Sequence, residues 1–391
     1  MSRVDAQLYW SLPGPRQFVA AIASRMQMSR LIAINLPHEV VPGTWERVEQ
    51  GLKDGYSDDV ISLTIRSGSD IAIDIGHHFK QSRVTAGQLA ATIHHEKRVI
   101  ILQAVGGEAL ELCQQYGSEF MTASKDTNGN VKLVISLNDS GLEDEGAEDI
   151  QIISFDGGLS ADEMDAYVGL RMVGRGGPGT TRLLKSIISE FAGFDVLFAE
   201  RLMELDDLRL ISIRDHLETL ENEQQDRWRS GLWERGCRSK RPGGETHVLH
   251  DTYLAKSGGD FVKEGARGRI DQRYWRSCVK ILTPWMEERR QHVIRFLQKK
   301  LDGLAAQNNG KLQIVRGDGY SRQVDIDELE YNNIVGLSNK GTLFGDTDHE
   351  KRAILVCRYV KKVRDEIAHL RAPRSDDVVK MIREMDILLG E

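Results

Sequence analysis

Two ionisable side chains near the carboxyl end of the sequence, Arg364 and His369 in "VRDEIAHLRAP" (363–373), could act together on a phosphodiester. Cleavage of an RNA strand by its own 2′-hydroxyl needs one group to take a proton and one to give a proton to the leaving oxygen. It also needs a fixed cation beside the crowded phosphorane. His369 can carry the proton and Arg364 can be the cation, so this chemistry requires no metal. A bare arginine followed at i+5 by histidine is weak by itself, because a chain with 11 histidines in 391 residues gives roughly one such match by accident.

The setting strengthens the pair. Ala353, Val356, Val360, Val363, Ile367 and Leu370 are spaced by alternating threes and fours, which predicts one apolar stripe on a helix that Pro373 stops. At about 100° per residue, Arg364 and His369 fall on opposite shoulders of that stripe, facing a packed seam. The last turn also places His369 at the negative end of the helix dipole, which favours imidazolium. The plainer alternative stays open: Arg364 pairs with Asp365 or Glu366 on the surface, and His369 only caps the turn.

Other stretches carry chemistry of different kinds. "RWRSGLWERGCRSKR" (227–241) interleaves Trp228 and Trp233 with Arg227, Arg229, Arg235, Arg238, Lys240 and Arg241. Cations there can grip phosphates while indoles stack on bases; equally, the tryptophans can be core and the arginines a wet surface. "GRGGPGTT" (174–181) runs into a helix, so Gly174, Gly176, Gly177, Gly179 and Thr180 could cradle an anion or could form a hinge. The adjacent pairs His77/His78 and His94/His95 point apart and have no ligand partner at metal spacing. His247, His250 and Asp251 supply at most three ligands, so no metal site is expected.

The elements that must position these groups divide the chain. The runs "RLIAINLP" (30–37), "DVISLTI" (59–65), "DIAIDI" (70–75), "RVIILQAV" (98–105), "KLVISL" (132–137) and "IQIISF" (150–155) read as strands. Helical stretches between them predict an α/β sheet that is at least partly parallel. "LSADEMDAYVGLRM" (159–172) opens with a Ser160/Glu163 capping box, and helices follow. Acidic "DSGLEDEGAED" (139–149) reads as a solvated loop. The segment from Asp271 is a long amphipathic helix with Pro284 as a kink or break, and 311–326 reads as a hairpin. We expect an α/β domain over 1–156, a helical lid and connection over 157–270, and an all-α region over 271–391.

Composition excludes several classes. No stretch approaches the roughly 20 apolar residues of a membrane-spanning helix, and the first 18 residues lack the apolar run of a secretory signal. Four scattered cysteines, Cys113, Cys237, Cys278 and Cys357, form neither a disulfide framework nor a zinc site. A cytoplasmic protein is expected. The net charge of −7 gives no global attraction to polyphosphate, so any nucleic-acid contact must be local.

Two resemblances build on these residues. The layout of residues 7–205 resembles P-loop ATPase domains of the AAA and STAND type, in a degenerate form. "SLPGPRQFV" (11–19) stands where those families carry GxxxxGK[ST], and Gln103 and Ala104 stand where acidic metal-binding residues would be. That resemblance implies a pseudo-ATPase regulator without hydrolysis; a nucleotide-dependent switch would bind near Pro13 to Arg16. The region 271–391, with "DELEYNNIVGLSNKG" and "EKRAILVCRYVKKVRDEIAHL", resembles HEPN domains, whose signature maps onto Arg364, Asp365 and His369, with Asp365 where Asn is commoner. It implies a cofactor-free endoribonuclease with its site formed across a homodimer, acting on RNA in bacterial antiviral defence or toxin-like systems. The rival expectation is a non-catalytic docking subunit of a defence or DNA-processing complex.

Overall fold

The computed structural model describes residues 4–36, 41–95, 97–138, 151–155, 157–175, 178–223, 246–315 and 321–390. Contacts divide the chain into two units. The first runs to Tyr167 and takes back Phe194–Glu200; the second holds Val168–Gly193, Arg201–Gln225 and the chain from Thr246. This division falls within a helix at 167/168 and not at 156/157.

In the first unit, helices α1 (Ala6–Ser11) and α2 (Pro13–Met28) precede strand β1 (Leu31–Leu36). There follow α3 (Thr44–Gly55), β2 (Asp59–Ile65), α4 (Ile71–His78), α5 (Ala86–Ala91), β3 (Arg98–Ala104), α6 (Gly107–Ser124), β4 (Lys132–Asn138) and β5 (Gln151–Ser154). The five strands form one sheet in the order β2-β3-β4-β1-β5, with every neighbouring pair parallel. Strand β1 therefore pairs with β4 and β5. In dinucleotide-binding and flavodoxin-like sheets β1 pairs with β2.

A parallel sheet must be covered on both faces, and the central strands show it. Leu31, Ala33, Ile100, Leu102, Leu133 and Ile135 bury one face under α4, α5 and α6, in a cluster that includes Cys113, Tyr116 and Phe120. Ile32, Ile34, Val99, Ile101 and Val134 point the other way and are also buried. Five of the six expected strands form. The sixth, "DIAIDI", is α4. Asp70 caps it by accepting from the backbone N–H of Ala72 and Ile73, and burial then follows Ile71, Ala72, Ile75 and Gly76 while Ile73 is exposed. Alternating isoleucines permit a strand, but the aspartate cap selects the helix.

The stretch 11–19 is not a phosphate loop. It closes α1 and opens α2, ahead of β1, with Pro13 at the first helical position. The α2 N-terminus is already occupied: the Glu163 carboxylate accepts from Gly14 N at 2.5 Å. It also accepts from the backbone N–H and hydroxyl of Ser160, completing the expected capping box. The backbone N–H of Gly14, within the Pro13 to Arg16 stretch where a nucleotide-dependent switch would bind, is thus taken by a side chain. After β1, the connection reaches Thr44 through Gly43 at φ +84°, and Trp10 Nε1 donates to Pro42 O at 3.2 Å. The Thr44 hydroxyl donates to Val41 O at 2.6 Å.

In a parallel α/β arrangement the helix carboxyl ends collect at the amino edge of the sheet, where their last carbonyls need donors. Arg30 and Lys132 supply them. Arg30 donates to Ala90 O at 2.6 Å, Ser124 O at 3.3 Å and Thr127 O at 3.2 Å, at the ends of α5 and α6. Lys132 donates to Met26 O and Gln27 O at the end of α2, and its ammonium lies over the Tyr56 ring.

The remaining helices are α7 (Ala161–Arg171), α8 (Pro178–Ala192), α9 (Val196–Met203), α10 (Asp207–Ile211), α11 (Ile213–Glu223), α12 (Val248–Ser257), α13 (Asp260–Arg295), α14 (Gln298–Ala306), α15 (Tyr331–Asn339), α16 (Asp348–Ala368) and α17 (Ser375–Leu389). In the second unit α13 packs on α8, α12 and α16, and α16 on α15 and α17. Helix α13 continues through Pro284 and through the expected 270/271 boundary. The expected hairpin forms as β6 (Leu312–Val315) and β7 (Ser321–Val324), antiparallel, with Leu312 opposite Val324. Among the described residues no helix is long and apolar enough to cross a membrane.

Burial, with Lys97 and Arg30 nearby, pulls the Lys132 ammonium down to about 8 from its ordinary 10.5. Between those values the unfolded chain holds a proton that the folded protein has released, so folding is favoured increasingly as pH rises. Urea midpoints measured from pH 8 to pH 10.5 should therefore rise more for the wild type than for Lys132→Met; equal slopes would refute the assignment.

Candidate functional site

The candidate site is carried by α16. Its start is fixed by a capping box, Thr347 with Glu350, and its packed face is Ala353, Val356, Cys357, Val360, Val363 and Ile367, all buried. Leu370 does not extend that stripe: it is 75% exposed. The helix ends at Ala368, and His369 is its C-cap. Leu370 N donates to Ile367 O at 3.1 Å and Arg371 N to Glu366 O at 2.9 Å, the paired bonds of a Schellman stop. Leu370 holds the left-handed position at φ +57°, where glycine is usual. The stop is this motif, and Pro373 lies beyond it.

Neighbouring helices clamp the same turn. Trp275 Nε1 of α13 donates to Ile367 O at 3.0 Å. Arg214 donates to Pro373 O at 2.7 Å, pairs with Asp271 at 2.8 Å and stacks over the Tyr274 ring at 4.3 Å. The segment that follows His369 is therefore tied back to the helix pack.

The predicted trio separates. Arg364 Nη1 meets Glu330 Oε2 at 2.5 Å, and both side chains are about half exposed. Asp365 pairs with Lys361 one turn earlier, and Glu366 pairs with Arg371 at 2.8 Å. Neither acid beside Arg364 in sequence is its partner, which corrects the surface-pair expectation. His369 is exposed, so it looks to solvent and not into a seam. Arg364 alone of the three lines a cleft of about 260 Å³, with Thr283, Met286, Glu287 and Arg290 of α13 and Glu328, Glu330 and Tyr331 before and at the start of α15.

That cleft is charged on both sides and internally paired. Arg290 binds Glu287 at 2.8 Å and donates to Leu329 O at 2.6 Å. The Tyr331 hydroxyl donates to Met286 O at 2.7 Å, and burial raises its phenol well above the usual range, so it is no proton carrier at neutral pH. No local spacing marks Glu330, Glu287 or Arg290, because each reaches the cleft from a segment far from Arg364 in the chain.

The other candidates fare differently. The basic–tryptophan residues Arg227, Trp228, Arg229, Trp233, Arg235, Arg238, Lys240 and Arg241 lie outside the described residues, as do Gly176 and Gly177. Gly174 takes φ +82° after α7, while Gly179 and Thr180 fall in the first turn of α8. The intervening Arg175 is bound to Asp207 at 3.1 Å and to the carbonyls of Met203 and Leu205.

His77 and His78 end α4 and are exposed, and His94 lies 3.8 Å from Asp59. His247 caps α12, accepting from Leu249 N at 3.2 Å, and Asp251 is buried against Arg269 at 2.6 Å. Burial holds the Asp251 carboxyl above its ordinary value. Among the described residues no three His, Cys, Asp or Glu side chains form a metal-holding group. Burial pushes the Cys113 and Cys278 thiols up to about 12 and Cys357 further, so none is a ready nucleophile.

Leucine in left-handed backbone is strained, and its exposed side chain gains little in return. Leu370→Gly should raise unfolding stability by about 0.5–1 kcal/mol, read as a shift in urea midpoint. A fall would show that the Leu370 side chain holds the chain end.

No protein-family model matches this chain, and a search of curated proteins finds no match either.

Proposed function

We propose that this protein is a metal-independent endoribonuclease of the HEPN type, active as a homodimer in a bacterial antiviral defence or toxin-like system. Its first unit is a degenerate P-loop-type regulator. One observation carries the reading: on a helix whose apolar stripe is buried, Arg364 and His369 both keep solvent access. Both therefore stand at the surface, where a substrate can meet them, with Arg364 paired to Glu330. Because only Arg364 lines the cleft, a single chain leaves its cation and its proton carrier in different surroundings. A second copy would supply the complement.

In the reaction, the neutral imidazole of His369 takes the proton of the 2′-hydroxyl as the 2′-oxygen bonds to phosphorus. The bond to the 5′-oxygen breaks, and His369 as imidazolium returns a proton to that oxygen. The products are a 2′,3′-cyclic phosphate and a 5′-hydroxyl. Arg364 offsets charge on the phosphoryl oxygens as the phosphorane forms.

The first unit supports a regulatory role by what stands at the carboxyl edge of its sheet. Gln103 and Ala104 end β3, with the Gln103 amide donating to the Ser62 hydroxyl and Ala104 N to the Ser136 hydroxyl at 2.8 Å. These side chains offer no carboxylate to a nucleotide-bound cation. The outgoing connections of neighbouring β4 and β1 lead to opposite edges of the sheet, the arrangement that opens a ligand crevice in α/β folds.

A second reading, a docking subunit without catalysis, draws on the Arg364–Glu330 pair, which occupies the guanidinium. Cleavage of labelled single-stranded RNA and transfer RNA in EDTA separates the two. The wild type should cut and leave cyclic phosphate ends, with folded Arg364→Ala and His369→Ala proteins each slower by about 100-fold or more. Variants that cut as fast as the wild type would overturn the assignment, and an inactive wild type that binds RNA no better than they do favours docking.

A further inference from the structure

The cleft beside α16 holds the guanidinium of Arg364 with a carboxylate, and the carboxylate is itself held in place. Glu330 stands 34 positions from Arg364 and reaches it at 2.5 Å. Its backbone N–H donates to Asn333 Oδ1 at 2.8 Å at the start of α15. The residues on either side of it are fixed to α13: Leu329 O accepts from Arg290 at 2.6 Å, and the Tyr331 hydroxyl donates to Met286 O at 2.7 Å. The other two acids of the cleft lie against other arginines, Glu287 at 2.8 Å from Arg290 and Glu328 at 3.7 Å from Arg322. Glu330 is thus the acid placed on Arg364.

An arginine neutralised by a carboxylate has little attraction left for a phosphate, and both anions want the same fork of N–H donors. The two side chains of this pair are 41% and 52% exposed, so the pair is weak and can be exchanged for a better anion. Strength of that order suits a contact that opens, and adds little to folding.

We infer that Glu330 is a resting-state latch on Arg364, competing with the RNA phosphate for the guanidinium, so that substrate binding must displace it. This rests on the nuclease reading for the identity of the phosphate. Glu330 acts through Arg364 and is a positioning residue.

The test uses the full-length protein, a labelled single-stranded RNA in EDTA, and four proteins: wild type, Glu330→Gln, Arg364→Ala and the double variant. Glu330→Gln keeps the size of the side chain and removes its charge. It should bind the RNA about three- to five-fold more tightly, lower KM by the same factor with kcat unchanged, and lower the melting temperature only slightly, because Glu330 is also the N-cap of α15. The gain should vanish in the double variant, because the latch has nothing to release once Arg364 is gone. Affinity unchanged in Glu330→Gln, or a gain that persists without Arg364, would overturn the latch. Failure of the nuclease reading looks different: Arg364→Ala then cuts like the wild type, whatever Glu330→Gln does to binding.

Discussion

The carbonyls left over at the carboxyl end of α16 set the geometry of everything around the candidate site. They are satisfied by chain reversal through Leu370 and Arg371, and by the indole of Trp275. Meeting that demand puts a leucine in left-handed backbone, leaves its side chain in water and makes His369 a cap residue in place of a helical one. A helix continued to Pro373 would have carried His369 around with the stripe. The stop therefore decides where the imidazole points, and it is held from outside by Arg214 on Pro373 O. Strained backbone persists only where its surroundings over-determine it, and here four hydrogen bonds do so, from the Leu370 and Arg371 amides, the Trp275 indole and Arg214.

The same demand governs the α/β unit on a larger scale. Because all five strands run parallel, helices α2, α5 and α6 end at one edge of the sheet, and Arg30 and Lys132 meet their carbonyls there. Lys132 accepts partial desolvation to do so, which is why its ammonium is easier to deprotonate. At the start of α2 the arrangement is inverted: an acid, Glu163, meets the N-terminal N–H of Gly14. A glycine next to prolines at a helix start reads like an anion site, and in this protein the anion is its own side chain.

Charges around the α16 motif show how weak individual surface pairs are as guides. Arg364, Asp365 and Glu366 are consecutive and each is paired, yet with Glu330, Lys361 and Arg371 respectively. Neighbours along a helix point about 100° apart and do not face one another, whereas residues one turn apart do. Lys361 and Asp365 follow that rule. Arg364 lies on the side where α13 and the start of α15 come together, so a residue distant in sequence becomes its nearest acid.

What the sequence determined by itself was local. Apolar runs placed five strands and the 312–324 hairpin, a serine and glutamate three apart placed the start of α7, and a three–four spacing placed the buried face of α16 up to Ile367. These signals succeed because each depends on backbone periodicity and on groups within one turn. Where two local patterns fit the same residues, as in "DIAIDI", an Asp70 cap and burial on the α6 side settled it as a helix. Only the tertiary structure decided that Glu163 closes the α2 N-terminus, that Leu370 leaves the core and that Glu330 holds Arg364. Each of those depends on chain segments that meet through packing, and no spacing within one segment records which distant segment will arrive.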